Sequence, residues 1–243
     1  MTRGGFPIAG FRPTSLIDYP DRVAGVLFTV GCNLRCPFCH NPELVLPEQV
    51  AVLPLIDPEA VLEALRERCT FLDGVTITGG EPTLHSGLVA FAREVKRLGL
   101  LVKLDTNGSN PDVVKELVAK HLADYIAMDI KASPASYDRL AGATVDLKTI
   151  ERSIALIRER APDYEFRTTV APTLDEAAIA AIAEWIGGAK RYVLQRFRVP
   201  PHAEKRQTMV DPTWVERSAL SEQELDDVWM RIQGRFDEGG VRA

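Results

Sequence analysis

The sequence predicts an α/β fold, a partial (β/α)6 TIM-like barrel that stays open along one side. Three observations lead to it. Six short β-rich runs alternate with amphipathic helical stretches. Most of those runs are apolar almost throughout, as parallel strands covered on both faces require. The polar and unusual residues gather just behind the runs, where parallel α/β folds carry their chemistry. Six units are fewer than a closed eight-stranded barrel needs, although the 243-residue length is close to the ~250 typical of that larger fold.

The strands are expected at 23–30 (VAGVLFTV), 74–78 (GVTIT), 101–106 (LVKLDT), 125–130 (YIAMDI), 165–170 (EFRTTV) and 191–197 (RYVLQRF). Helix starts are legible between them. Asp57 before Pro58, and Asn110 before Pro111, each pair an N-cap with a proline at the first helical position. Thr173 with Glu176, and Ser221 with Glu224, have the spacing of capping boxes. Leu88, Phe91, Val95 and Leu98 form an apolar stripe that Gly99 closes. Ile150, Ile154 and Ile157 form another, and Leu225, Val228, Trp229 and Ile232 a last one. The expected layout is one domain, with an N-terminal extension at 1–22, the barrel at 23–198, and a C-terminal extension at 199–243 ending in a helix over 221–236.

Charge excludes some functions. The 29 basic and 34 acidic residues leave a net charge of −5, so no global positive field recruits nucleic acid or an anionic membrane. Lys190, Arg191, Arg196 and Arg198 are interrupted by apolar residues and read as the flanks of a strand. No apolar run reaches signal-peptide or membrane-span length, which gives an expected cytoplasmic address. In that reducing compartment closely spaced cysteines read as metal ligands or catalytic groups.

Three of the four cysteines, Cys32, Cys36 and Cys39, fall within eight residues behind the first run. A Cx3Cx2C loop offers three thiolates of the kind that hold an iron–sulfur cluster, one fewer than the usual four. The alternatives are a disulfide, or a zinc site completed by His40. Adjacent Cys39 and His40 could hardly share one tetrahedral ion without strain. Gly79-Gly80-Glu81 ends the second run, where paired glycines allow close approach to a ligand and Glu81 offers a carboxylate to an ammonium group. Asp105-Thr106-Asn107 ends the third run, Met128-Asp129-Ile130-Lys131 the fourth, and Thr168-Thr169 the fifth. Taken alone, the Asp and Asn residues read as turns after strands.

The three-cysteine loop with Phe38 before its last cysteine resembles the radical S-adenosylmethionine superfamily. The stretches GFRPTSLIDYPDRVAGVLFTVGCNLRCPFCHNPEL and TITGGEPTL resemble the activating enzymes of glycyl-radical proteins, in particular the longer form of the anaerobic ribonucleoside-triphosphate reductase activating proteins. The likeness runs from about Gly10 to Phe197. It implies a [4Fe–4S] cluster on Cys32, Cys36 and Cys39, whose open iron chelates S-adenosylmethionine. It implies cofactor contacts at Phe38, Gly79, Gly80, Glu81, Asp105, Thr106, Asn107, Asp129, Thr169 and Gln195, with Thr168 and Phe197 as further candidates. Lys131 is the implied catalytic residue beside cofactor and substrate. By likeness to pyruvate formate-lyase activase, Asp105, Thr106, Met128 and Asp129 are candidates to hold a monovalent cation. The implied partners are a glycyl-radical enzyme, anaerobic ribonucleotide reductase first, and a low-potential electron donor such as flavodoxin or ferredoxin.

Two other readings stay open. One keeps the radical chemistry on another glycyl-radical enzyme or a small molecule. The other is a non-catalytic iron–sulfur carrier or sensor, against which the cofactor-type residues at the strand ends argue. Cys69, on an apparent helix stripe with Val61 and Leu65, reads as core, and His121 as a structural helix residue. His85 and His202 receive no role.

Overall fold

The computed structural model describes residues 5–199 and 209–242, so His202 lies outside the described residues. Eight strands form one sheet in chain order: β1 (Ile8–Ser15), β2 (Ala24–Thr29), β3 (Gly74–Gly79), β4 (Leu101–Thr106), β5 (Tyr125–Asp129), β6 (Tyr164–Val170), β7 (Arg191–Arg196) and β8 (Glu238–Arg242). β1 runs antiparallel to β2, and every later neighbouring pair is parallel. β1 and β8 are the two edges and do not pair, so the barrel stays open.

The helices lie between the strands. α1 (Pro42–Val45), α2 (Pro47–Val50) and α3 (Pro58–Arg66) follow β2, α4 (Leu88–Arg97) follows β3, and α5 (Pro111–Ala119) follows β4. α6 (Tyr137–Ala141) and α7 (Leu147–Arg160) follow β5, α8 (Glu176–Trp185) follows β6, and α9 (Glu222–Ile232) precedes β8. No helix among the described residues is long and apolar enough to cross a membrane.

Strand alternation decides what faces the helices and what faces inward. Ile77, Leu104, Ile126 and Phe166 are fully buried and share a core with Val95, Leu117 and Ile157 of the helices. Each such burial contributes about 1.5–3 kcal/mol. The alternate positions Lys103, Asp105, Asp129, Glu165 and Arg167 therefore turn to the inner face. Side chains two strands apart meet there. Arg167 on β6 reaches Asp105 on β4 at 3.1 Å, and Arg242 on β8 reaches Glu165 on β6 at 2.9 Å. Neighbouring strands lie ~4.8 Å apart, so these contacts fit a concave face.

All six expected strands are present, each end within one residue of its expected place. Two more exist, which makes seven parallel strands rather than six, plus the antiparallel β1. β1 contains Pro13, tolerated because an edge strand has an unpaired side, and β8 is Glu-Gly-Gly-Val-Arg, with no apolar alternation to announce it.

Asp57 caps α3 through the Glu59 amide at 3.0 Å, and Ser221 with Glu224 forms the expected capping box on α9. The other two expected caps are corrected. Asn110 directs its side-chain amide to the Thr83 carbonyl at 2.9 Å and leaves α5 without a side-chain cap. Thr173 sits at φ 134°, and Asp175 caps α8 instead through the Ala178 amide at 2.8 Å. Cys69 packs half-buried against the core, but beyond the end of α3. His121 is an exposed residue at φ 55° past the end of α5, not a helical one.

Candidate active site

The loop behind β2 is fixed from several sides. Gly31, at φ +83°, donates its amide to the Leu44 carbonyl at 2.7 Å. The Arg35 amide reaches the Ala141 carbonyl of α6 at 2.8 Å. The Arg35 guanidinium donates back to the carbonyls of Cys32 at 2.6 Å and Leu34 at 2.7 Å. The far end is stitched down by the C-terminal stretch, whose Val210 and Asp211 amides donate to the carbonyls of Cys39 and Pro37 at 3.2 and 3.0 Å. This restraint holds Cys36 buried and Cys32 and Cys39 half-buried, all three unpaired and lining one cavity of about 240 Å³.

The thiols sit in a setting that favours their neutral forms. Burial raises all three, Cys36 to about 12. A cationic partner that binds thiolate must therefore displace protons to load. Two groups already point at the Cys32 sulfur: the Leu34 amide at 3.4 Å and the Asn107 side-chain amide at 3.8 Å.

Gly79 and Gly80 carry the β3 end against this loop. A Cβ on Gly79 would lie 2.2 Å from the Thr29 nitrogen, and one on Gly80 would lie 2.0 Å from the Gly31 carbonyl oxygen. Both line the cavity, yet the close approach that excludes a side chain is to neighbouring backbone. Glu81 is fully buried, and its carboxylate accepts four hydrogen bonds. They come from the Thr83 amide and hydroxyl at 3.1 and 2.6 Å, the Thr106 hydroxyl at 2.8 Å, and the Asn107 amide at 2.7 Å. Burial still holds its pKa above the ordinary carboxylate value. The carboxylate expected to meet an ammonium group thus ties the β3 loop to the end of β4.

A charged set continues down the inner face. Arg167 bridges Asp105 and Asp129, Lys103 pairs with Asp105, and Lys131 pairs with Asp129 at 2.9 Å. Burial by itself would raise both aspartates, but the cations outweigh it and hold both below the usual carboxylate range. Burial would lower Lys131, yet Asp129 and Cys36 raise it, so it stays protonated.

Cys32, Cys36, Phe38, Cys39, Gly79, Gly80, Glu81, Asp105, Thr106, Asn107, Asp129, Lys131 and Thr169 all line the one cavity. Phe38 also packs against Trp214, ring centroids 5.9 Å apart. Gln195 does not line it and stands behind Thr169 at 3.5 Å. Thr168 faces the other way, donating to the Ile130 carbonyl at 2.9 Å. Phe197 is buried against the His40 ring. His85, left without a role, bonds through Nε2 to the Val30 carbonyl at 2.8 Å, just ahead of the cysteine loop.

Of the oxygens expected to hold a monovalent cation, both carboxylates are charge-paired by protein groups and the Thr106 hydroxyl donates to Glu81. Among the described residues no three His, Cys, Asp or Glu side chains are grouped as one metal ion needs. Sequence reasoning passed over Arg167. Its signal was parity: Glu165, Arg167 and Thr169 share one face of β6.

Residues 26–186 match the radical SAM superfamily model. A protein of Methanocaldococcus jannaschii named as a glycyl-radical enzyme activating enzyme is 33% identical over 198 residues, covering 78% of this chain and 79% of that one. The pyruvate formate-lyase-activating enzyme of Streptococcus mutans is 29% identical over 203 residues, covering 79% and 74%. Among solved structures, Streptococcus suis SuiB bound to S-adenosylmethionine superposes with a TM-score of 0.63 at 13% identity, over 90% of this chain and 52% of that one. This last likeness concerns the fold, and the chain spans about half of that structure.

Proposed function

This chain belongs to the radical S-adenosylmethionine superfamily, among the activating enzymes of glycyl-radical enzymes, and we propose that it installs a glycyl radical on anaerobic ribonucleoside-triphosphate reductase. The observation that carries the reading is one cavity lined by three free cysteines and by Gly79-Gly80-Glu81. Three thiols on a restrained loop fit a [4Fe–4S] cluster with one iron left open. The fourth cysteine, Cys69, packs elsewhere in the core.

Bound there, the cluster and S-adenosylmethionine supply one-electron cleavage of a sulfonium and a carbon radical able to take a hydrogen atom. The protein supplies position. Cys32, Cys36 and Cys39 hold the cluster, and the Asn107 and Leu34 nitrogens donate toward the Cys32 sulfur, a contact of the kind that tunes cluster potential. Lys131, kept protonated, offers a fixed positive charge to the cofactor carboxylate. Phe38 gives the adenine an apolar face. The sheet is unclosed between β1 and β8, and we take that side as the approach of the peptide loop.

Anaerobic reconstitution should give about four irons per chain. With S-adenosylmethionine and a strong reductant, 5′-deoxyadenosine should appear, and Cys36→Ala should abolish both. A single zinc with no iron would end the reading. Paramagnetic resonance of the reductase after incubation should show a glycyl-type signal. Cofactor cleavage without that signal would remove the reductase as partner and leave the family untouched.

A further inference from the structure

We infer that Trp214 is a positioning residue for the cofactor's adenine, holding the Phe38 ring from behind as a fixed wall of the cavity. The inference rests on the reading above, that S-adenosylmethionine lies in this cavity against Phe38, and adds what sets that ring. Trp214 lies beyond residues 26–186, so the support comes from the C-terminal stretch and not from the part of the chain that matches the superfamily model.

Three side chains follow one another outward from the cavity. Phe38 lines it and is 6% exposed. Trp214 packs on Phe38 with ring centroids 5.9 Å apart and planes inclined at 43°. It is 5% exposed and does not line the cavity. The exposed Arg217 then lays its guanidinium over the Trp214 ring, 4.8 Å from the centroid.

The backbone that carries Trp214 is itself pinned to the cysteine loop. Met209 is fully buried, and the next two amides, of Val210 and Asp211, donate to the carbonyls of Cys39 and Pro37. Those two residues flank Phe38 in the chain. The Asp211 carboxylate accepts from the Thr213 amide at 3.0 Å and the Thr213 hydroxyl at 2.8 Å, which starts the short helical turn Pro212–Glu216. One short span thus grips the backbone on both sides of Phe38 and also supplies the ring behind it. A phenyl ring has no polar atom to anchor it, and its rotation about χ2 is broad, so packing alone decides how it faces. A flat base needs a flat partner in one orientation, and a ring held before binding loses no freedom when the cofactor arrives.

The test measures S-adenosylmethionine affinity by anaerobic calorimetry on the cluster-loaded protein. Trp214→Leu should weaken it about tenfold, the worth of one aromatic pair, while Trp214→Phe should stay within about threefold of wild type. Because Trp214 acts through Phe38, Trp214→Leu combined with Phe38→Leu should bind no more weakly than Phe38→Leu alone. Methionine carries the same amino and carboxylate groups without the adenine. Its affinity, followed by paramagnetic resonance of the reduced cluster, should change by less than about twofold in Trp214→Leu. Trp214→Met, whose flexible chain fills gaps without offering a flat face, replaces the leucine variant if that one loads less iron than wild type. Unchanged S-adenosylmethionine affinity would overturn the inference, as would losses that add in the double variant. An equal loss for methionine, or loss of the cluster from both the leucine and the methionine variants, would overturn it too, because the ring would then brace the cysteine loop as a whole. A wild type that loads its cluster and binds no S-adenosylmethionine would instead end the function reading on which the inference rests.

Discussion

Arg167 places one guanidinium between two carboxylates on neighbouring inner strands, with bonds to Asp105 and Asp129. Its side chain is only 12% exposed, so the arrangement is closer to a buried network than to a surface pair. Removing one partner of such a network strands the others. Arg167→Ala should cost about 3–5 kcal/mol in chemical denaturation. Arg167→Ala with Asp129→Asn should recover part of it, because one stranded charge is gone. The pH dependence has a definite sign. Both aspartates are held below their unfolded values, so their contribution is complete above about pH 4 and is lost as pH falls through their lower folded values. Wild-type stability should fall below that pH, and Arg167→Ala should flatten the fall. That Cys32, Cys36 and Cys39 would share a cavity with Gly79 to Glu81 was legible from the spacing of the cysteines and from the place of the glycines behind the second run. Arg167 was not, because its role depends on which face of β6 it takes and on what waits across the sheet.

The two edge strands show the same divide at the scale of elements. Buried parallel strands betray themselves as apolar runs, since both faces are covered. β8 has no such run, and its part in the fold comes from Arg242, which grips the fully buried Glu165 with two nitrogens at 3.1 and 2.9 Å. Glu165 keeps only the Tyr125 hydroxyl at 3.1 Å and a distant Arg167 contact at 3.9 Å when that grip is lost. Arg242→Ala should therefore destabilise by about 1–3 kcal/mol, the range for stranding a buried polar group. The half-exposed arginine places the value in the lower part of that range. A double-mutant cycle with Glu165→Gln measures the coupling, and a value near zero would show that β8 is held by its backbone pairing alone. The cap at Thr173 failed for a related reason. A capping box is a local pattern, and Asp175 two residues later offered a better oxygen to the Ala178 amide.

At the scale of the whole molecule, the strand ends bring loops from five distant segments to one cavity. The sheet is left unclosed between β1 and β8. That the six inner strands would converge was readable from order alone, because successive parallel strands place their carboxyl ends on one side. That the C-terminal stretch would fold back to hold the Cys39 and Pro37 carbonyls was not, since no local signal ties residues 210–211 to the loop. The convergence predicts linkage between cofactor binding and global stability. S-adenosylmethionine would touch the ends of β3, β4, β5 and β6 together, and a ligand that binds only the folded state stabilises it. At a hundredfold excess over its Kd the gain is about 2.7 kcal/mol. For a chain of this size each kcal/mol moves Tm by roughly 2–4 °C, so anaerobic melting of the cluster-loaded protein should rise by about 5–11 °C. The rise needs the open iron, so Cys36→Ala should show almost none of it. An equal rise in that variant would mean that the cofactor binds without the cluster, and the three-cysteine loop would then not be its anchor.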